Sequence, residues 1–338
     1  MIPICSIGAY GDHHVNTAKP PIQVSLERWE VFLRSLSERL SVPSERLPTV
    51  RCWKHSALAT EIKAVVRANQ SELRTTFPPA YKVIEHLKRM GWVQPIEVQS
   101  SEQRDHIEFL IVDARSREGQ PVSPLELLQA WLPAGVICYF SALTHHELTT
   151  QTAAYHHIAR LNPPRSRKEL VSATEPEKAG EAVERSPLGT DIFHFAEVTC
   201  YETRRDASLV PGIQMRVVSP RTWLRITTRE QTLLDTLLQP LRCGGEAVIL
   251  EAWENGVNAM DADRMSECLG KIRRDDLDRR VGAVLDLIGA DVAMSSLGRR
   301  MTALKERLAA ATTEIPDIPL LWGFQFPARS EAWKVRIP

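Results

Sequence analysis

The sequence predicts a helix-rich α+β protein, in which an N-terminal helix–helix–helix–hairpin unit precedes an α+β domain ending in a helical bundle. Three observations carry this expectation. Between Arg51 and Val112, stretches with helical spacing of apolar residues lead into two strand-like runs. Between Asp191 and Ile226, β-formers cluster in short runs that suit a small sheet. From Thr228 to Leu308, apolar residues recur at helical spacing, divided by caps and breakers. A length of 338 residues suits about two domains, and 43% hydrophobic residues suffice for a sizeable core.

Residues 1–24 read as irregular, with Pro3, Gly8, Gly11, Pro20 and Pro21, and His13-His14 read as solvated. Ser25 then caps a helix whose apolar face is Leu26, Trp29, Phe32 or Leu33, Leu36 and Leu40, stopped by Pro43 and Pro48. His55 to Asn69 reads as a second helix through Leu58, Ile62, Val65 and Val66, and Ser71 to Thr76 as a short helix or turn. Pro78-Pro79 suits the start of the next helix, which runs through Tyr81, Val83, Ile84, Leu87 and Met90 to Gly91. Trp92 to Val98 makes a strand that Pro95 would confine to a sheet edge. Gln99 to Asp105 turns, and Ile107 to Val112 returns. This is the element order of a winged helix-turn-helix, and the expected organisation is a 1–50 extension with one amphipathic helix, a 51–118 winged helix-turn-helix domain and a 119–338 C-terminal domain.

In the C-terminal part, Ser123 and Pro124 start a helix to Trp131, and Gly135 opens a buried segment leading into a short helix. Asn162 to Ser186, rich in proline and charge, reads as an exposed loop. Arg221 to Gly245 is the most strongly patterned stretch: an apolar strand (Trp223, Leu224, Ile226), a capping box of Thr228 and Gln231, and a helix burying Leu233, Leu234, Leu237 and Leu238. Pro240 and Gly244-Gly245 stop it. The tail from Ile315, with Leu320, Leu321, Trp322, Phe324 and Phe326, should pack back on its own domain or on a partner.

Composition excludes several classes. Basic and acidic residues balance at 42 each, so any nucleic-acid contact needs a local patch. No apolar run reaches the length of a membrane helix, and the N-terminus lacks the charged and apolar regions of a signal peptide. The six cysteines never form C-x-x-C, which suits reduced thiols in the cytoplasm. His145-His146 and His156-His157 are adjacent pairs and not an i, i+4 metal pair, so no metal site is expected. Phosphate-loop, nucleophile-elbow, zinc-protease and dinucleotide motifs are absent, so no enzyme and no cofactor is expected.

A local patch does occur. From Arg51 to Gln94 the basic residues are Arg51, Lys54, Lys63, Arg67, Arg74, Lys82, Lys88 and Arg89, against Glu61, Glu72 and Glu85, a local excess of five. Such an excess serves phosphate contacts, because counterion release supplies much of the affinity. The expected DNA-binding residues are Lys54, Lys63, Arg67, Arg74, Tyr81, Lys82, Lys88 and Arg89, with Arg104 in the hairpin turn. Tyr81, Lys82 and Glu85 lie nearest base edges; Lys88 and Arg89 suit phosphate. The plainer reading of lysines on helices is solvation.

Three blocks in order carry a resemblance. TTREQTLLDTLLQPLRCGG, GVICYFSALTHHELTTQ and Arg279-Arg280-Val281-Gly282-Ala283-Val284-Leu285-Asp286 are similar to conserved blocks of AbiEi-type antitoxins, the antitoxin and transcriptional-regulator half of bacterial abortive-infection toxin–antitoxin pairs. The chain departs at Gln231, where the family shows arginine, at Cys138 for serine and at Glu147 for glycine. The resemblance implies a first domain that binds double-stranded operator DNA upstream of its own operon. It implies a second domain that counteracts a nucleotidyltransferase-like toxin, with no need of a stable complex. A transcriptional regulator with an interaction or ligand-sensing domain and no toxin partner is the alternative, separable by the neighbouring gene.

Overall fold

The computed structural model describes residues 25–73, 77–101, 106–112, 121–163 and 187–338. Arg74, Arg104, His13-His14 and most of the loop expected over Asn162 to Ser186 lie outside the described residues. Along the chain come α1 (Leu26–Arg39), β1 (Cys52–Lys54), α2 (His55–Ala68), α3 (Gln70–Leu73), α4 (Ala80–Arg89), β2 (Val93–Ser100) and β3 (His106–Val112). Then follow α5 (Pro124–Trp131), β4 (Val136–Ile137), α6 (Phe140–His145), β5 (Tyr155–Asn162), β6 (Thr190–Phe195), β7 (Val198–Asp206), β8 (Ile213–Ser219) and β9 (Thr222–Thr227). Helices α7 (Arg229–Leu238), α8 (Glu246–Gly256), α9 (Ala262–Ile272), α10 (Asp275–Leu287) and α11 (Ser296–Ala309) precede a small sheet of β10 (Ile318–Pro319), β11 (Ala328–Ser330) and β12 (Val335–Ile337).

The organising element is a sheet. Nine strands pair in the order β1-β3-β2-β6-β7-β5-β4-β9-β8 as one curled, mixed sheet. This corrects the expected helix-rich fold with a winged helix-turn-helix at its N-terminus. A wing would project as a hairpin, whereas here both edges of the β2–β3 hairpin are occupied. β1 pairs with β3, and β2 pairs with β6 through Gln99 opposite His194 and Ser100 opposite Phe193. The sheet therefore runs across the boundary expected near residue 118. Pro95 still behaves as an edge residue: β6 reaches β2 only beyond it, so its missing N–H costs no ladder bond on that side.

Side-chain alternation explains how one strand serves two cores. In β3, Leu110 and Val112 join Trp53, Leu58, Ile62, Ile84 and Leu87 under α1, α2 and α4. Phe109 and Ile111 face the other way, onto Leu127 and Leu128 of α5, with Cys52, Phe193, Cys200 and Ile226. Successive residues of a strand point to opposite faces, and a run buried on both faces loses its polar alternation. α1 is thus part of the first core, with Phe32, Leu36 and Leu40 fully buried. The third core collects the helices from α6 to α11.

The expected start at Ser123 holds, and Glu126 completes a capping box there on α5. Asp261 and Ser295 cap α9 and α11 by accepting from backbone N–H groups. Thr228 caps α7 by accepting from the N–H of Gln231, but the Gln231 side chain does not return to the cap. It is buried and spans instead to Gly212, Leu209 and Asp235. The tail does pack back on its own domain, and the Arg279 to Asp286 block is its dock. Arg279 donates to the carbonyls of Trp333, Pro316 and Lys334. The Trp333 indole donates to Asp286 at 2.7 Å. A Cβ on Gly282 would come within 2.4 Å of the Trp333 ring, so only glycine admits that ring against α10.

Candidate nucleic-acid interface and a buried polar hub

α2 buries Leu58, Ile62 and Val65, spaced i, i+4, i+7, and so turns Ser56, Thr60, Lys63 and Arg67 to solvent along the opposite stripe. α4 is steeply amphipathic. Ala80, Val83, Ile84 and Leu87 are buried, and Gly91 ends the helix at φ 68°. Its outer stripe is Tyr81, Lys82, Glu85 and Arg89, with Tyr81 56% exposed. His86 and Lys88 flank that stripe on opposite sides. The His86 ring stacks on Trp29 of α1 at 4.3 Å. Lys88 Nζ lies 2.7 Å from Glu108 on β3 and 3.2 Å from Glu85.

The expected contact residues therefore divide. Lys63 and Arg67 on α2, and Tyr81, Lys82 and Arg89 on α4, are exposed. Lys88 is engaged: burial opposes its charge, but the hydrogen bonds and charges of Glu108 and Glu85 outweigh burial and raise its pKa. Lys54 is engaged as well, with Nζ 3.7 Å from the centre of the Trp131 ring and a pKa lowered by burial. The sequence shows neither contact, because a lysine carries no mark of a partner 20 or 77 residues away. Arg51 likewise turns inward to Glu126, which also accepts from Thr222 and tightens the contact between the two halves.

The blocks behind the antitoxin resemblance meet around α7. Every residue from Glu230 to Leu238 is buried. Asp235 receives a bidentate pair from Arg205 of β7, both bonds 2.8 Å and both side chains without exposure, and a third bond from Gln231. Where the resemblance expects arginine, this chain has Gln231; the cation facing Asp235 is Arg205. The Arg205 guanidinium lies 4.9 Å from the Tyr139 ring and that of Arg242 lies 5.6 Å from it. From the α10 block, Arg280 Nη1 donates to the Leu237 carbonyl at 3.0 Å.

Two backbone features of the first block stand out. Tyr139, fully buried, sits at φ 57°, ψ −134°, a conformation that side chains rarely tolerate. Glu147 sits at φ 57° at the end of α6, where its N–H bonds to Thr144 and that of Leu148 to Leu143. That is a Schellman closure, whose left-handed position favours glycine, the residue the resemblance expects there.

The histidines are structural acceptors and donors. His146 Nε2 lies 2.7 Å from the Thr227 carbonyl, and this ring is buried. Burial, partly offset by that contact, lowers its pKa to about 4. His156 meets Ser141, and burial lowers it to about 4. His157 meets the Leu188 carbonyl and stacks on Tyr201; burial and the Arg242 charge lower it to about 3. Among the described residues no three His, Cys, Asp or Glu side chains converge as a metal site, and no helix is long and apolar enough to cross a membrane.

No family model and no curated protein matches this chain. Among solved structures, the chain is similar to the crystal structure of the RV2827C protein from Mycobacterium tuberculosis, with 15% identity, a TM-score of 0.47, and coverage of 93% of this chain and 92% of that one.

Proposed function

We propose that this chain is a cytoplasmic DNA-binding antitoxin that represses its own operon and counteracts a nucleotidyltransferase-like toxin. The observation that supports DNA binding is the outer stripe of α4. Tyr81, Lys82 and Arg89 are exposed together on a helix held on both flanks, and Lys63 and Arg67 are exposed on the adjoining α2. Exposed cations suit phosphates, and an exposed tyrosine and lysine near a helix start suit base edges. The antitoxin part rests on the three sequence blocks, and the glycine-favouring backbone at Glu147 supports that resemblance.

The test is an anisotropy titration at two salt concentrations, with the upstream region of the gene and a scrambled duplex. Lys63→Ala with Arg67→Ala should weaken binding to both duplexes and reduce the salt slope by about one unit per lost phosphate contact. Lys82→Ala should reduce discrimination by about 1–3 kcal/mol. Lys88→Ala should change the salt slope little, because Glu108 and Glu85 already neutralise it. Absence of preference for the upstream region in the unaltered protein would overturn the DNA-binding reading. Coexpression with the product of the adjacent gene, scored for growth rescue, tests the antitoxin reading separately.

A further inference from the structure

α4 has ten residues, too short to be stable alone, so packing sets its orientation. Its apolar stripe holds it down on α2 and the sheet and sets its roll about its own axis. Two flanking contacts hold that roll from either side. On one side Lys88 bonds to Glu108 of β3. On the other side stands Trp29 of α1, whose ring stacks on His86 at 4.3 Å and 28° between planes. Trp29 also meets Phe77 at 5.2 Å and Phe32 at 5.7 Å, and Phe32 meets Phe77 at 4.8 Å. Phe77 immediately precedes Pro78-Pro79, the entry to α4. One side chain of α1 therefore touches both the approach to α4 and its second half.

The other end of α1 is anchored elsewhere. Arg39 pairs with Glu61 of α2, and Arg221 Nη2 donates to the Leu40 carbonyl at 3.0 Å. Beyond it, the Val50 N–H bonds to the Arg221 carbonyl at 3.0 Å, and the Trp223 N–H to the Pro48 carbonyl at 2.6 Å. α1 thus spans from the β8–β9 hairpin to α4 as a brace fixed at both ends.

We propose that Trp29 is a positioning residue for sequence recognition by α4. It touches no DNA; through His86 and Phe77 it sets the angle at which Tyr81 and Lys82 are presented. This rests on the reading of α4 as the DNA-contacting helix. Base readout needs side chains placed within a fraction of an ångström, whereas phosphate attraction tolerates small displacements. Loss of the brace should therefore separate the two.

The experiment compares Trp29→Ala, Trp29→Phe and His86→Ala with the unaltered protein, each first checked for a cooperative melt. The readouts are the ratio of Kd values on the scrambled and upstream duplexes and the salt slope. Trp29→Ala should lower the ratio about tenfold and leave the salt slope unchanged. Trp29→Phe, which keeps a ring against His86, should restore most of the ratio. His86→Ala, at a half-buried position that folding tolerates better, should reproduce the loss and decides the matter if Trp29→Ala fails to fold. An unchanged ratio in folded Trp29→Ala or His86→Ala overturns the proposal alone. A fall in the ratio accompanied by a fall of about one unit or more in the salt slope also overturns it, since that would be a general loss of the surface. Absence of any preference in the unaltered protein overturns the reading of α4 and this proposal with it.

Discussion

Replacing Asp235 by alanine is the sharpest perturbation of the buried hub. Arg205 and Asp235 have no solvent exposure and share two bonds of 2.8 Å. Removing one partner leaves an uncompensated charge in a site that water does not reach, at about 3–5 kcal/mol. Asp235→Ala also strips Gln231 of one acceptor, adding about 1 kcal/mol. A typical domain has only about 5–15 kcal/mol in total, so each single variant should show a large fall in urea midpoint. The double variant Arg205→Met with Asp235→Ala combines the two single changes and leaves no unpaired buried charge, at a small loss of side-chain volume, so its cost falls below that of either single change. The double-mutant cycle should therefore give a coupling of about 3 kcal/mol or more, with the double variant more stable than either single one. Additive losses below about 1 kcal/mol apiece would refute the reasoning, since they would mean that α7 and β7 meet through water.

Glu147→Gly should raise stability by about 0.5–1 kcal/mol in the same denaturation assay, because a left-handed backbone that strains glutamate is open to glycine; a loss would show that the Glu147 side chain compensates for the strain. Acid should destabilise through His146, His156 and His157, whose folded pKa values of about 4, 4 and 3 lie below the usual 6.5. For a depressed histidine the unfolded chain takes up the proton first, so stability is full above about pH 6.5 and falls as pH drops toward the folded values. At pH 5 the loss is about 1–2 kcal/mol per histidine, read as the shift in urea midpoint from pH 7.5, and His157→Phe should flatten that dependence. Leu234→Ala should cost about 2–5 kcal/mol, because Leu234 is fully buried inside the C-terminal core; an unchanged melting temperature would contradict that packing.

Much of the local structure is written in short-range pattern. The i, i+3, i+4, i+7 apolar spacing of α4 reports one buried face, and the paired leucines Leu233-Leu234 and Leu237-Leu238 mark α7 as a core helix. Ser123, Asp261 and Ser295 mark helix starts because a side-chain oxygen satisfies backbone donors two or three residues on. The alternation in β2 and the near-continuous run in β3 mark strands. All these signals act within about ten residues, which is why the sequence alone determined them.

Partners were decided only by the tertiary structure. Nothing near Gln99 and Ser100 says that they pair with His194 and Phe193, yet that junction turns a hairpin into part of a nine-stranded sheet. A period of two tells which face is buried and is silent about which strand lies alongside. The same limit applies to charge. Lys63 and Lys88 look alike as letters, but Lys63 faces solvent while Lys88 is closed between Glu85 and Glu108. Coulomb and hydrogen-bond energies depend on distances of a few ångströms, and chain folding sets those distances over separations of tens of residues. So the sequence marked α4 as an amphipathic helix with a polar outer stripe. Only the packed structure decided which of its cations remain exposed, and that Trp29, about fifty residues earlier in the chain, stands against its flank.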